Sequence, residues 1–167
     1  MQNKVYFRNY SVMVSIFLLA LIIRLAFVLQ QNDIPKADAC VYDGLAVSLS
    51  HGDGYVNNNG TAHSLYPPFY PFFLSIIYTF FGHNYAVVRI VQSIVGALSC
   101  VLIFLIGKKM HSAIAGGLSA SISICYLPFI KSAERLLSEL LFTFLLLLII
   151  FYLVKMQEDK RLRNCVI

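Results

Sequence analysis

The chain has 167 residues, of which 59% are hydrophobic and 13% are charged, and its formal net charge is +5. A soluble domain of this size could not bury so much apolar surface, and intrinsic disorder requires low hydrophobicity, so both classes are excluded. The 13 lysines and arginines lie between hydrophobic runs, which is typical of membrane topology signals rather than of a nucleic-acid-binding groove.

Four apolar runs are long enough to cross about 30 Å of hydrocarbon as helices. The first, residues 11–29, follows Lys4 and Arg8 and has no small-residue cleavage site behind it. It therefore predicts a transmembrane helix after a cytoplasmic segment, residues 1–10, and not a cleaved signal peptide. The other elements are spans at residues 85–107, 113–130 and 136–154, and a basic cytoplasmic tail at residues 155–167. The sequence thus predicts an all-α integral membrane protein with four transmembrane helices.

A long external loop, residues 30–84, separates the first two spans, and it predicts helices at about 36–50 and 67–81. The second helix begins with prolines, which suit a first helical turn, and is rich in the aromatic residues typical of membrane interfaces. If it lies in the interface, eight of the thirteen basic residues fall on the cytoplasmic side. We therefore predict a juxtamembrane helix at 67–81 and two cytoplasmic termini.

The external loop carries the candidate chemistry, since it holds four of the eight acidic residues. Asp38 and Asp43 are five residues apart, which separates them by about 140° around a helix and argues against a paired-carboxylate site. A single carboxylate just outside a membrane can act as a general base towards a hydroxyl or an amine. The alternative is that Asp38 only caps or solvates the helix. The glycines of residues 52–55 predict a turn.

Two charges lie within apolar runs. Arg24 either faces a partner or a water-filled cavity, or its side chain extends to the nearby membrane interface. Glu139 either faces a cavity within the membrane or lies at the exposed start of a helix. The four cysteines form no CxxC pair and the four histidines are scattered, so no metal site is predicted.

In their order and spacing, these features resemble the N-terminal part of a GT-C type membrane glycosyltransferase. The nearest group is the dolichyl-phosphate-mannose-protein mannosyltransferase-like and aminoarabinose-transferase-like superfamily. The resemblance covers about residues 10–155, and compared with the family's full enzymes the chain looks truncated. The series that carries it is Ile22-Ile23-Arg24-Leu25, Asp38, Tyr42, Ala46, Leu49, Gly52-Asp53-Gly54-Tyr55, Tyr66-Pro67-Pro68-Phe69-Tyr70-Pro71, Phe81-Gly82, Val88-Arg89, Gly107-Lys108-Lys109 and Leu137-Ser138-Glu139.

The resemblance implies transfer of a sugar from a polyprenyl-phosphate donor to an acceptor on the non-cytoplasmic face of the plasma (inner) membrane, with Asp38 as catalytic base. It implies no required cofactor and leaves a divalent metal open. Tyr66 stands where a Lys commonly precedes the two prolines in the aminoarabinose-transferase-like group, so that phosphate contact is either missing or supplied elsewhere, with His63 as a candidate. The candidate donor-phosphate or cavity contacts are Arg24, Tyr42, His63, Tyr66, Arg89, Arg135 and Glu139.

The expected partners are the lipid bilayer, the polyprenyl-phosphate sugar donor and a C-terminal half or partner subunit that would complete the enzyme. The alternative is a non-catalytic four-span membrane protein: an assembly partner, a scaffold or a transporter subunit. The long acidic loop favours the enzyme, because a scaffold does not need it. Transporters often carry internal repeats and broken or ionisable midplane helices, and this sequence displays neither.

Overall fold

The computed structural model describes residues 2–30, 34–56 and 65–158, with side chains from residue 10 to residue 157 of those ranges. The described residues are largely helical and contain no β-strand, which confirms the all-α prediction. The helices are α1 (Gln2–Val28), α2 (Asp38–His51), α3 (Phe69–Phe81), α4 (Tyr85–Met110), α5 (Ala113–Cys125), α6 (Leu127–Lys131) and α7 (Glu139–Glu158).

In the described part of the chain, three helices are long and apolar enough to cross a membrane: Tyr10–Val28, Tyr85–Met110 and Glu139–Gln157. The first and last of these spans direct most of their side chains outward, whereas α4 is the most buried because α1, α5 and α7 pack around it. Large apolar side chains cover the outer surface, which is the arrangement expected when lipid is the solvent.

The structure interrupts the predicted span at 113–130. Helix α5 ends at Cys125, Tyr126 is extended with ψ at 103°, and α6 follows with a proline in its first turn. The physical reason is Pro128, which has no N–H for the helical ladder and whose ring would clash with a carbonyl one turn earlier. Helix α5 alone has 13 residues, or about 20 Å, which is short for a membrane.

Helix α5 nevertheless packs along α4, and the segment after α6 returns to the start of α4. At one end Gly116 lies so close to α4 that a Cβ there would be 2.5 Å from the Phe104 carbonyl oxygen. At the other end, Gln92 donates hydrogen bonds to carbonyls just beyond α6. Helix α1 also runs antiparallel to α4, since Arg24 contacts Cys100 while Val28 packs near Val95.

Helix α7 runs in the same direction as α4. Leu140 approaches Gly96, and farther along both helices Leu147 and Ile103 line one cavity. The end of α1, the start of α4, the end of α6 and the start of α7 therefore meet at one end of the bundle. Met110, at the other end of α4, lies beside Lys108 and Lys109.

Helices α2 and α3 form a pair that packs on that first end of the bundle. Their shared core contains Tyr42 and Ala46 of α2 and Leu74 of α3, and it extends to Val88 of α4. Gly52 caps the C-terminus of α2, and its φ of 87° is the left-handed conformation that the predicted turn requires. The pair covers the surface between the starts of α4 and α7, and the candidate site lies beside it.

Candidate functional site

The principal cavity of interest has a volume of about 390 Å³ and is called the Asp38 cavity here. The segment before α2, the first turns of α4 and the residues before α7 form its walls. Asp38, Arg89 and Arg135, which the sequence separates by up to 97 positions, all line it. The fold therefore brings the predicted base and two predicted phosphate contacts to one space.

Lys36 also lines the Asp38 cavity, and the sequence analysis did not select it. It lies two residues before Asp38 in a polar loop, where a single lysine carries no distinguishing signal. Its amine can contact a phosphate as a point charge. The cavity thus combines a carboxylate with basic side chains, while Glu134 adds a second carboxylate to its wall.

Tyr66 holds the Asp38 carboxylate. Its hydroxyl donates a hydrogen bond to Oδ1 of Asp38 at 2.7 Å, and this bond is the main reason that the pKa of Tyr66 is raised. Tyr42 packs edge-on against the rings of both Tyr66 and Tyr70, with each pair of centroids 5.1 Å apart. Tyr55 donates a hydrogen bond to the Tyr66 carbonyl oxygen at 2.9 Å. Tyr66 therefore contacts the Asp38 carboxylate directly, and Tyr42 contacts the ring of Tyr66.

The backbone is strained immediately before Asp38. Ala37 has φ at 51° and ψ at −128°, a conformation that costs a residue with a side chain about 1–3 kcal/mol. Ala37 makes no side-chain cap to α2 and lines the cavity together with Asp38. Strained residues of this kind cluster at functional sites, where the surrounding structure maintains them.

The two arginines reach the cavity in different ways. Arg89 is 6% exposed, and its Nε donates a hydrogen bond to the Glu134 carbonyl oxygen at 3.2 Å. Arg135 is exposed and also lines a second space of about 410 Å³, the Lys131 cavity, together with Lys131, Ser132 and Glu139. The cationic surface therefore extends from the Asp38 cavity into its neighbour.

A third, apolar space of about 340 Å³ follows, and it is called the α3–α7 groove here. Tyr70, Phe142 and Leu145 are among the residues that line it, and Glu139 belongs to both this groove and the Lys131 cavity. The shared residues make the three spaces neighbours, with charged side chains at one end and apolar side chains at the other. Such a series suits a ligand that has an anionic head and a hydrocarbon tail.

The structure does not bring Arg24 to these spaces. Arg24 is fully buried between α1, α4 and α6, where it donates to the Ala20 carbonyl oxygen at 3.1 Å and to Cys100 Sγ at 3.4 Å. Its guanidinium lies 5.0 Å from the Phe129 ring centroid. A Cβ on Gly96 would be 2.7 Å from Arg24 Nε, so that glycine makes room for the arginine. His63, the other predicted phosphate contact, lies outside the described residues.

Asp43, which the sequence did not select, is the most extensively bonded carboxylate among the described residues. Tyr78 donates to Oδ1 at 2.6 Å, Tyr85 donates to Oδ2 at 2.8 Å, and His83 Nε2 lies 2.8 Å from Oδ1. Burial, and then the hydrogen bond to Asp43, raise the pKa of Tyr78 well above its ordinary value. We call these four residues the Asp43 cluster, and it fastens α2 to the end of α3 and the start of α4.

Metal binding has no obvious site in the part of the chain that the structure describes. No group of three or more histidine, cysteine or acidic side chains there could hold a metal ion.

Comparison with known proteins identifies the family to which the chain belongs. Residues 66–167 match the model of the dolichyl-phosphate-mannose-protein mannosyltransferase family. The matched range contains α3 to α7 with Arg89, Arg135 and Glu139, whereas Asp38 and α1 precede it. Comparisons with curated proteins and with solved structures found no match. Because the family model covers more than half of the chain, this membrane protein belongs to the dolichyl-phosphate-mannose-protein mannosyltransferase family, as the resemblance predicted.

Proposed function

We propose that this protein takes part in transferring a sugar from a polyprenyl-phosphate donor to an acceptor on the non-cytoplasmic face of the plasma (inner) membrane. It does so as part of a larger enzyme of the GT-C type. The observation that carries the proposal is that Asp38, Arg89 and Arg135 line one cavity at the same end of the helix bundle. Family membership supports the reaction class, and the neighbouring apolar groove supports a lipid-linked donor.

We further propose that the chain crosses the membrane four times and has both termini in the cytoplasm. The antiparallel packing of α5 along α4, with the segment after α6 bonded to Gln92 near the start of α4, supports a return crossing despite the break at Tyr126. Lys108 and Lys109 lie at the end of α4 away from Asp38, and the positive-inside rule assigns that end to the cytoplasm. Helix α3, with 13 residues packed beside the start of α4, then rests at the outer interface.

In the proposed reaction, Asp38 removes a proton from an acceptor hydroxyl or amine. The acceptor atom attacks the anomeric carbon of the donor, the bond from that carbon to the phosphate oxygen breaks, and the lipid phosphate leaves with the electron pair. Since Tyr66 binds Oδ1, we assign proton transfer to Oδ2 of Asp38. A positioned general base contributes a factor of about 10²–10⁴ in rate.

The departing phosphate gains negative charge, and the basic side chains of the Asp38 cavity stabilise it. Arg135, which is exposed, can bind phosphate oxygens through two N–H groups, which adds orientation to charge, and Arg89 adds positive charge at the cavity wall. Lys36 is the residue that we assign to the contact made in related enzymes by the lysine before the proline pair, where this chain has Tyr66. The isoprenoid chain then lies in the α3–α7 groove, whose lining is largely apolar.

The test is transfer from a polyprenyl-phosphate sugar in lipid vesicles, comparing this chain alone with a chain joined to a C-terminal half of the same family. We expect transfer by the completed chain and its loss in Asp38→Asn. Absence of transfer by a correctly inserted completed chain contradicts the proposal and favours the non-catalytic alternative.

Topology has a separate test, because α2 carries an exposed native cysteine, Cys40. In a variant with Cys125→Ser and Cys165→Ser, a membrane-impermeant maleimide should label intact cells at Cys40. Cys40→Ser in the same variant is the control and should remove the label. Labelling only after the membrane is opened contradicts an external site.

A further inference from the structure

The side chain of Gln92 is an almost fully buried amide in α4, 1% exposed. Its Nε2 lies 2.8 Å from the carbonyl oxygen of Arg135, 3.3 Å from that of Ala133 and 3.4 Å from that of Ser132. Its Oε1 accepts a hydrogen bond from the Tyr70 hydroxyl at 2.8 Å. Because carbonyl oxygens surround one end of the amide, its N–H groups must face them, and the oxygen must then face Tyr70.

The carbonyls that Gln92 binds belong to the segment 132–135, which joins α6 to α7. The segment lies between two helices, and side chains of α4 donate to its carbonyl oxygens; that of Arg135 also accepts a hydrogen bond from the Leu137 N–H at 2.9 Å. Arg89, one helical turn before Gln92, donates to the carbonyl of Glu134 in the same segment. One face of α4 therefore holds the backbone from which the Arg135 side chain extends.

The other end of the amide reaches the helix pair that carries Asp38. Tyr70 lies in α3, and its ring packs edge-on against Tyr42 of α2, which packs in turn against Tyr66. Tyr66 donates to Asp38. The contacts from Gln92 through these rings thus join two walls of the Asp38 cavity, the one that carries Asp38 and the one that carries Arg135.

We propose that Gln92 is a positioning residue for sugar transfer: it fixes segment 132–135, and so Arg135, relative to the helix pair that holds Asp38. The proposal rests on the proposed function for its effect on transfer, but the fixing of the segment is testable without any activity. Gln92 touches none of the reacting groups. Its role is to keep the cation and the base at one separation, and small misplacements of reacting groups can cost about 100-fold in rate.

The chain itself provides a structural readout, because trypsin cleaves after Lys131 and Arg135, at the two ends of the held segment. We would compare cleavage rates at these bonds in the intact chain in lipid vesicles, followed by mass spectrometry. Gln92→Leu removes both ends of the amide, whereas Gln92→Glu keeps the acceptor for Tyr70 and loses the donors to the carbonyls. Both variants should raise cleavage at least about 10-fold, as expected when a held segment opens more often.

Ser93→Ala is the matched control. Ser93 is the next residue, is equally buried, and donates only within α4, to the Arg89 carbonyl oxygen. Its cleavage pattern should remain that of the wild type. If Gln92→Leu and Gln92→Glu also leave the cleavage rates unchanged, segment 132–135 does not depend on Gln92 and the proposal is overturned.

Tyr70→Phe separates the two halves of the inference, because it keeps the bonds from Gln92 to the carbonyls and removes the link to α3. We expect unchanged trypsin cleavage and, in the completed enzyme, a kcat about 3–10-fold lower with KM unchanged, as for a geometric effect on the chemical step. A kcat equal to that of the wild type overturns the coupling of the two walls. If the wild-type enzyme transfers no sugar, the proposed function fails, and the cleavage rates alone decide whether Gln92 holds the segment.

Discussion

The two aspartates of α2 are the same residue type on the same helix, five positions apart, and the fold gives them opposite environments. Asp43 is 9% exposed, and its two oxygens bond to Tyr78, His83 and Tyr85. Asp38 is exposed, binds Tyr66, and lines a cavity with basic side chains. A carboxylate whose oxygens are already bonded fastens elements together, whereas one that faces a cavity can exchange protons.

The two aspartates also differ in how strongly they attach α2 to the rest of the fold. Hydrogen bonds to a charged group contribute about 1.5–3 kcal/mol each, so the Asp43 cluster is the stronger attachment of α2. Asp38 lies about 7.5 Å along the same helix and therefore has its position set by that attachment. The strain at Ala37 falls on the Asp38 side, next to the cavity.

The largest expected effect is the loss of transfer in Asp38→Asn. Since the amide cannot accept the proton, the rate should fall by about 10²–10⁴, while membrane insertion stays intact. The measurement is transfer of a labelled sugar by the completed enzyme in vesicles. Asp53→Asn, an exposed aspartate in the turn after α2, is the control and should keep full activity.

Asp43→Asn should act on stability instead. Its amide group would turn N–H donors towards hydroxyl groups that already donate, so the free energy of unfolding should fall by about 2–4 kcal/mol. The folded fraction should keep a kcat within 10-fold of the wild type. Thermal unfolding measures the loss of stability; an unfolding temperature equal to that of the wild type would remove the Asp43 cluster from this role.

A pair of tyrosine variants sharpens the comparison. Tyr66→Phe removes the hydroxyl that orients Asp38 and should lower kcat about 5–10-fold, which corresponds to about 1–1.4 kcal/mol. Tyr85→Phe removes one donor to Asp43 and should lower stability by about 1–2 kcal/mol with little change in kcat. Measuring kcat and the free energy of unfolding in both variants tests whether Asp38 acts in catalysis and Asp43 in stability. Equal effects of the two variants on kcat would contradict this division of roles.

The raised pKa of Tyr78 predicts a loss of stability in alkali. The folded state holds the Tyr78 proton more tightly than the unfolded state, so this stabilisation is complete below the ordinary value of 10.0 and is lost as pH rises above it. Tyr78→Phe should therefore be less stable than the wild type near neutrality but should lose less stability between about pH 8 and pH 11. Denaturant unfolding at both pH values measures this, and parallel losses in the two proteins would disprove the assignment.

The smallest expected effect concerns Ala37. Glycine adopts a positive φ without steric cost, so Ala37→Gly should raise the free energy of unfolding by up to about 1 kcal/mol. Activity should change by less than about threefold. A destabilised variant would mean that Ala37 is not strained.

The sequence predicted the parts of this fold that depend on local hydrophobicity and turn chemistry. The apolar helices and the turn at residues 52–55 both follow from nearby residues. The break at Tyr126 was not predicted, although Pro128 was its signal, because the apolar run continues through it. An apolar run indicates that a segment prefers lipid to water, but it does not indicate whether the hydrogen bonds of one helix continue through the segment.

The Asp43 cluster and Gln92 could not be predicted in the same way. The partners of Asp43 lie 35–42 positions away, and Gln92 lies 40–43 positions from the carbonyls that it binds. Only packing of α2, α3 and α4 brings them together. A helical-wheel argument separates Asp38 from Asp43 correctly, but it cannot tell which of them meets donors and which meets a cavity.

The most direct test of the account is to measure sugar transfer by Asp38→Asn and Asp43→Asn in one assay, with each rate divided by the folded fraction that thermal unfolding gives for that variant. We expect the Asp38 variant to be at least about 100-fold slower than the Asp43 variant. Equal normalised rates, or a slower Asp43 variant, would contradict the assignment of Asp38 as the base.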